Sequence, residues 1–148
     1  MRLTAFTDYC LRVLIHVATQ REGRATIADI AKAYRVSEHH LVKVVHRLGQ
    51  EGLLLNKRGR GGGLELGLPA NEINVGAVVR IAERRDGPVV CFSDDPVERK
   101  SCALVPACRL AGVLQEAMDA FYGTLDRYTL QDLVRNQQAI RMILHPRP

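Results

Sequence analysis

"TIADIAKAYRVSEHHLVKVVHRLGQEGLL", residues 26–54, carries two helical periods separated by a few residues, and the reading of that break decides the fold. Thr26 stands where an N-cap belongs and Asp29 follows three residues later, so the pair can satisfy free amides and meet the positive end of a helix. Ile27, Ile30, Ala31 and Tyr34 then form one face of a short helix. Ser37 caps a second helix, in which Leu41, Val44, Val45 and Leu48 point inward and Gly52 is placed as the stop. Its outward positions are Glu38, His39, His40, Lys43, His46 and Arg47. Two short helices across a tight turn are the skeleton of a helix-turn-helix, whose second helix reads the major groove of DNA. A plain packing unit has the same pattern, so the next segment has to decide.

That segment is "LLLNKRGRGGGLELG", residues 53–67: a strand, a glycine-rich turn and a returning strand. Gly59, Gly61, Gly62 and Gly63 suit a hairpin turn, and Lys57, Arg58 and Arg60 crowd its tip. A positive hairpin behind a recognition helix is the wing of a winged helix. Small residues there let the backbone approach DNA while arginines enter the narrow minor groove. Residues 1–70 are therefore expected to form a winged helix-turn-helix that binds double-stranded DNA. The expected contacts are Ser37, His39, His40, Lys43 and Arg47 on the helix and Lys57, Arg58 and Arg60 on the wing. His40 and Lys43 are the best placed for base edges.

The charge distribution agrees. Residues 1–63 hold eleven Lys/Arg and five Asp/Glu, a net +6, whereas residues 64–148 hold ten and eleven, a net −1. A basic amino-terminal half suits a polyanion partner. With 47% hydrophobic and 25% charged residues the chain reads as soluble and globular. No run approaches the roughly 18–20 apolar residues of a membrane span, and the amino terminus lacks the apolar core of a secretory signal. A cytoplasmic location without membrane association is expected.

The flanks follow from periodicity. A first helix is expected over about residues 3–21, with Phe6, Leu11, Leu14, Ile15 and Ala18 inward. Residues 71–83 read as a short helix, and the interval 71–109 joins it to a cysteine-bearing loop. In the interval 107–148, Leu110, Val113, Leu114, Ala117, Met118, Phe121 and Leu125 form one long stripe. That stripe is long enough for two copies to pair, and DNA readers of this size usually bind palindromic operators as two-fold dimers. Thr129 and Asp132 repeat the capping pattern and predict one final helix. The fold class is mainly α with a small β-hairpin wing: a winged helix-turn-helix plus a long dimerisation helix in a homodimer.

Cys91, Cys102 and Cys108 fall within eighteen residues, spaced C-x₁₀-C-x₅-C among Ser93, Asp94, Asp95, Pro96 and Pro106. A disulfide framework, a zinc knot and a reactive metal cluster compete for them. Disulfides are rare in the cytoplasm. Structural zinc prefers ligand pairs two to four residues apart, and neither such pair is present. Iron–sulfur clusters tolerate wider loops, but three cysteines leave one iron short of a ligand, an arrangement that suits a sensor better than a staple. Cys10 reads as a small packing residue. An enzyme with Cys102 or Cys108 as nucleophile is not expected, since no nearby base or substrate-binding motif accompanies them.

"MRLTAFTDYCLRVLIHVA", "VSEHHLVKVVHRLGQEGLL", "RGRGGGLELG" and "CALVPACRL" together resemble the iron–sulfur winged-helix regulators that include IscR. Within that group, "VPACRL" and the late "LDRYTLQDLV" are most similar to the NsrR-type, nitric-oxide-sensing repressors. The similarity covers nearly the whole chain in colinear order. It implies a homodimeric repressor on a palindromic operator, with an iron–sulfur cluster (4Fe–4S ahead of 2Fe–2S) held by Cys91, Cys102 and Cys108. Asp8 stands where some relatives draw a fourth ligand from the other subunit. The first cysteine gap is longer than is usual in the group, so Asp94 or Asp95 can be considered in place of Cys91. Nitric oxide is the signal the resemblance implies; an iron, cluster-status or redox regulator of the same fold is the alternative.

Overall fold

The computed structural model describes residues 3–20, 24–57, 59, 61–83, 89–92, 95–104 and 107–144. Helix α1 spans Ala5–Thr19, and Thr4 caps it by accepting from the Thr7 amide. Its fully buried stripe is Cys10, Val13, Leu14 and Val17, whereas Phe6, Leu11, Ile15 and Ala18 are only partly buried against the core. Of the apolar residues that recur at helical spacing, Leu14 is thus fully buried and the other four flank the core. α1 has neighbours on more than one side, α3 on one and α4 on another, and the bulkier residues border the core.

Helix α2 spans Ile27–Tyr34 and opens with the expected capping box, Thr26 and Asp29 each accepting from the other's amide at 3.1 Å. It ends at Arg35, which takes a left-handed φ of 54°. The Val36 amide then bonds the Ala31 carbonyl and the Arg35 amide that of Lys32, the Schellman arrangement that satisfies the last carbonyls of a helix. Ser37 starts α3, Glu38–Gln50, by accepting from the His39 amide at 3.2 Å. The same double closure ends α3, Leu53 bonding Leu48 and Gly52 bonding Gly49. Two short helices are therefore locked at fixed length by local chemistry, and their crossing is set by Ile30, Ala31, Leu41, Val44 and Leu48 in one core.

Strands β1, Leu54–Lys57, and β2, Gly63–Leu66, form an antiparallel hairpin in which Leu54 faces Leu66 and Lys57 faces Gly63. Leu54 and Leu64 point into the core. Ala25 bridges Leu64, whose amide donates to the Ala25 carbonyl at 2.8 Å, so the segment before α2 flanks the hairpin as a third extended piece. Gly63 makes that approach possible: a Cβ there would lie 2.6 Å from the Arg24 Cβ.

Helix α4, Val75–Ala82, is capped by Asn74 and buries Val75, Val78 and Val79. After it come a 3₁₀ turn at Val90–Phe92, the short α5 at Pro96–Lys100 and the long α6 at Arg109–Leu125. α6 is held to α4 by Arg80, which makes paired bonds of 2.6 and 2.7 Å to Asp126 and stacks over Tyr122. The chain then closes with α7, Leu130–Leu133, capped by Thr129 and Asp132 as expected, and α8, Gln137–Leu144. The single terminal helix predicted from periodicity is broken at residues 134–136. Val134 and Leu130 both insert into the core, and Asn136 begins a new helix by accepting from Ile140. α7 and α8 pack back on α1. No helix among the described residues is long and apolar enough to cross a membrane.

Candidate DNA-binding surface and cysteine loop

α3 is sorted by exposure. Leu41, Val44, Val45 and Leu48 are buried, while Glu38, His39, His40, Lys43, His46 and Arg47 are all exposed. The structure thus brings Ser37, His39, His40, Lys43 and Arg47 to the outer side of one helix. His40 stacks on Tyr9 of α1 with ring centroids 6.3 Å apart, and Arg47 pairs with Glu51 at 3.1 Å. One residue of this surface was not anticipated. Val42 is 52% exposed among polar neighbours, and an apolar side chain on a reading helix suits a thymine methyl group. An apolar residue off the buried stripe was the available signal.

On the hairpin, Gly59 and Gly61 take left-handed φ values of 98° and 78°, and a Cβ at either would meet nothing. There is therefore open space at both glycines. Lys57 donates to Glu65 at 2.8 Å; Arg24 also donates to Glu65, and to the Gly61 carbonyl at 2.8 Å. The Lys57 ammonium, and after it the Arg24 guanidinium, hold the Glu65 carboxyl below its usual range. Arg58 and Arg60 lie outside the described residues.

The cysteines sort into two kinds. Cys10 is fully buried in α1, and burial pushes its thiol up to about 12, against a smaller opposing influence of Arg47. Cys91, Cys102 and Cys108 are half-buried and unbridged. Cys91 sits in the 3₁₀ turn, Cys102 just beyond α5, and Cys108 at the N-cap of α6, where its side chain makes no capping bond. A thiolate at that position meets the positive end of a seventeen-residue helix.

The segment between the first two cysteines is not the irregular loop expected. Asp95 accepts from the Val97 amide at 2.8 Å and Pro96 occupies the first helical turn, so residues 96–100 coil into α5. Five helical residues advance about 7 Å against about 17 Å extended, so this part of the gap is folded up rather than stretched. The Asp95 carboxylate is thereby engaged in capping, and Asp94 lies outside the described residues. No group of three or more His, Cys, Asp or Glu side chains is gathered closely enough to hold a metal ion among the described residues. The donor chemistry, three unbridged thiols within eighteen residues, fits an iron–sulfur cluster.

Asp8 lies in the first turn of α1, paired with Arg12 through contacts of 2.9 and 2.8 Å. Arg12 in turn stacks over Tyr34. One residue away, the Thr7 hydroxyl donates to Glu83, which also accepts from the Thr4 amide at 2.8 Å. Glu83 closes α4 immediately before the segment that leads to Cys91, so the start of α1 and the root of the cysteine loop are tied together.

Comparison with known proteins gives one consistent result. A family model described as Rrf2, iron-dependent transcriptional regulator, matches residues 3–136. The HTH-type transcriptional regulator NsrR of Bacillus subtilis is 46% identical over 145 residues, covering 97% of each chain. Its namesake in Geobacillus kaustophilus is 43% identical over 148 residues, covering 99% of each. Among solved structures, CymR, the global cysteine regulator of B. subtilis, aligns with a TM-score of 0.70 at 27% identity over 92% of this chain and 98% of that one. The IscR of T. potens shares the fold with a TM-score of 0.72 at 22% identity over 96% of this chain and 92% of that one.

Proposed function

The chain belongs to the Rrf2 family of transcriptional regulators, and from that premise we propose a homodimeric repressor whose hold on a palindromic operator is set by a nitric-oxide-responsive iron–sulfur cluster. The observation that carries the reading is the coexistence of two surfaces. One is the fully exposed polar side of α3 beside a basic hairpin; the other is a loop with three unbridged, half-buried thiols. In this reading Ser37, His39, His40, Lys43 and Arg47 meet the major groove, with Lys57, Arg58 and Arg60 on the flanking backbone and minor groove. Cys91, Cys102 and Cys108 would hold the cluster, and Asp8 from the partner subunit would complete it.

A bound cluster supplies iron sites at which nitric oxide can bind, 4Fe–4S being preferred over 2Fe–2S. The protein's own part is mechanical. α5 coils part of the long first gap and engages Asp95 as its cap, which favours Cys91 over Asp95 as the third loop ligand. Asp8 has to exchange Arg12 for the partner's loop, and a carboxylate is a hard, readily exchanged ligand beside thiolates. Glu83 links the loop's root to the first turn of α1, and α1 packs on α3, so a shift at the cysteines has a physical route to the reading helix. The family description as iron-dependent favours a second reading, in which iron or cluster status is the signal and the rest is unchanged.

Base reading has its own test. Lys43→Ala should weaken operator binding by roughly 1–3 kcal/mol and relax the preference at one position of each half-site. Competition binding against an operator library with each position varied reads both. Uniform weakening with unchanged base preference would move Lys43 to the phosphate backbone.

A further inference from the structure

Between Gly52 and Asn71, Glu65 is the sole acid, in a stretch that also holds Lys57, Arg58 and Arg60. A carboxylate on a surface read as meeting a polyanion works against that surface, so its geometry needs an explanation. The hairpin register pairs Leu55 with Glu65 and Lys57 with Gly63, which puts Lys57 and Glu65 diagonally on one face, opposite to the buried Leu54 and Leu64. Arg24 reaches the same carboxylate from the flanking segment, brought there by the Ala25–Leu64 bridge and by the missing side chain at Gly63. A second guanidinium nitrogen, Nη1, donates to the Gly61 carbonyl, so Arg24 spans from the carboxylate to the hairpin turn.

Resting on the reading of this hairpin as a DNA-contacting wing, we infer that Glu65 is an internal competitor for DNA phosphate. It occupies Lys57 and Arg24 in the free protein and lowers the wing's pull on DNA of any sequence. Lys57 leaves Glu65 when it meets a phosphate, while Arg24 keeps the turn anchored. The carboxyl is held ionised by its two cations, so this counter-charge is present throughout the neutral pH range. Arg24 and Glu65 thereby join the DNA-binding apparatus as positioning residues, 41 positions apart in sequence.

The test is a salt titration of binding to a fluorescein-labelled duplex of scrambled sequence, followed by anisotropy. Glu65→Gln keeps an acceptor for Arg24 and removes the charge. It should steepen the salt dependence by about one unit and bind about eightfold tighter near 0.1 M salt, the advantage vanishing toward 1 M. Glu65→Ala should give the same change of slope, and Lys57→Gln should make the slope shallower by about one unit. If both Glu65 variants titrate like the parent while Lys57→Gln is shallower, the competitor role is overturned and the wing stays on DNA. If Lys57→Gln also titrates like the parent, the wing reading itself falls.

Discussion

Protein purified without oxygen should be brown and carry bound iron and sulfide, and replacing Cys102 or Cys108 by Ala should abolish both, whereas Cys10→Ala should keep them. The contrast comes from placement rather than from residue type. Cys10 is fully buried on the stripe that joins α1 to the core, where burial also pushes its thiol up to about 12, so it packs as a core residue and presents no face to a cluster. Cys102 and Cys108 are half-buried, unbridged and separated by five residues, and Cys108 lies at the amino end of α6. Loss of either thiolate leaves at most two from the loop, too few to retain a cluster. Cys91→Ala should behave like them if α5 keeps the first gap compact. Absorbance together with iron and sulfide analysis checks the series. A colourless anaerobic sample containing stoichiometric zinc would overturn the cluster reading and leave the fold intact.

The second large effect is expected from Val113→Glu. α6 is seventeen residues long, yet none of its residues is buried within the protomer. Leu110 and Val113 are 58% and 61% exposed, and Leu114, Met118, Phe121 and Leu125 are only half-covered. A helix with an uncovered apolar stripe is stabilised by burying it elsewhere, and a second copy of α6 is the occupant that a palindromic operator calls for. A carboxylate at position 113 would have to be desolvated in that interface. The variant should sediment as a monomer, melt in the protomer core much as the parent does, and lose operator affinity by roughly 10²–10⁴-fold as the second half-site is forfeited. Sedimentation equilibrium with operator binding on the same sample separates the effects. A dimer that survives Val113→Glu would place the interface elsewhere.

What the sequence disclosed and what it hid divide along physical lines. Thr26 with Asp29, Ser37, Gly52 and Thr129 with Asp132 all act over two to five residues, so the starts and stops of the helices were readable as local chemistry. The inward side of α3 was equally plain, because α1, α2 and β1 all pack on it and the opposite side faces solvent. α1 was harder: it is covered by several elements, and its buried positions mix apolar Cys10, Val13, Leu14 and Val17 with polar Thr7, His16 and Thr19, which apolar periodicity does not mark. The break between α7 and α8 was hidden because the apolar period runs on through Val134, whose burial turns the chain. Pro96 after Asp95 was an available sign of α5, a proline at a helix start behind a capping acid. The Arg24–Glu65–Lys57 cluster had no such sign, since it depends on strand register and on a contact between distant segments. Arrangement of the cysteines around a cluster is of the same kind. Spacing supplies candidate ligands, while convergence belongs to the assembled protein.

In the proposed mechanism the state of the cysteine loop sets the grip of α3 and the wing on DNA. Its most direct test is operator affinity measured by gel shift on one preparation divided three ways: cluster-loaded, cluster-free and treated with nitric oxide. The loaded form should bind the palindrome tightly, and the other two should be weaker by on the order of tenfold or more, a typical size for coupling between sites. Equal affinity in all three samples would contradict the account, even with the cluster itself present.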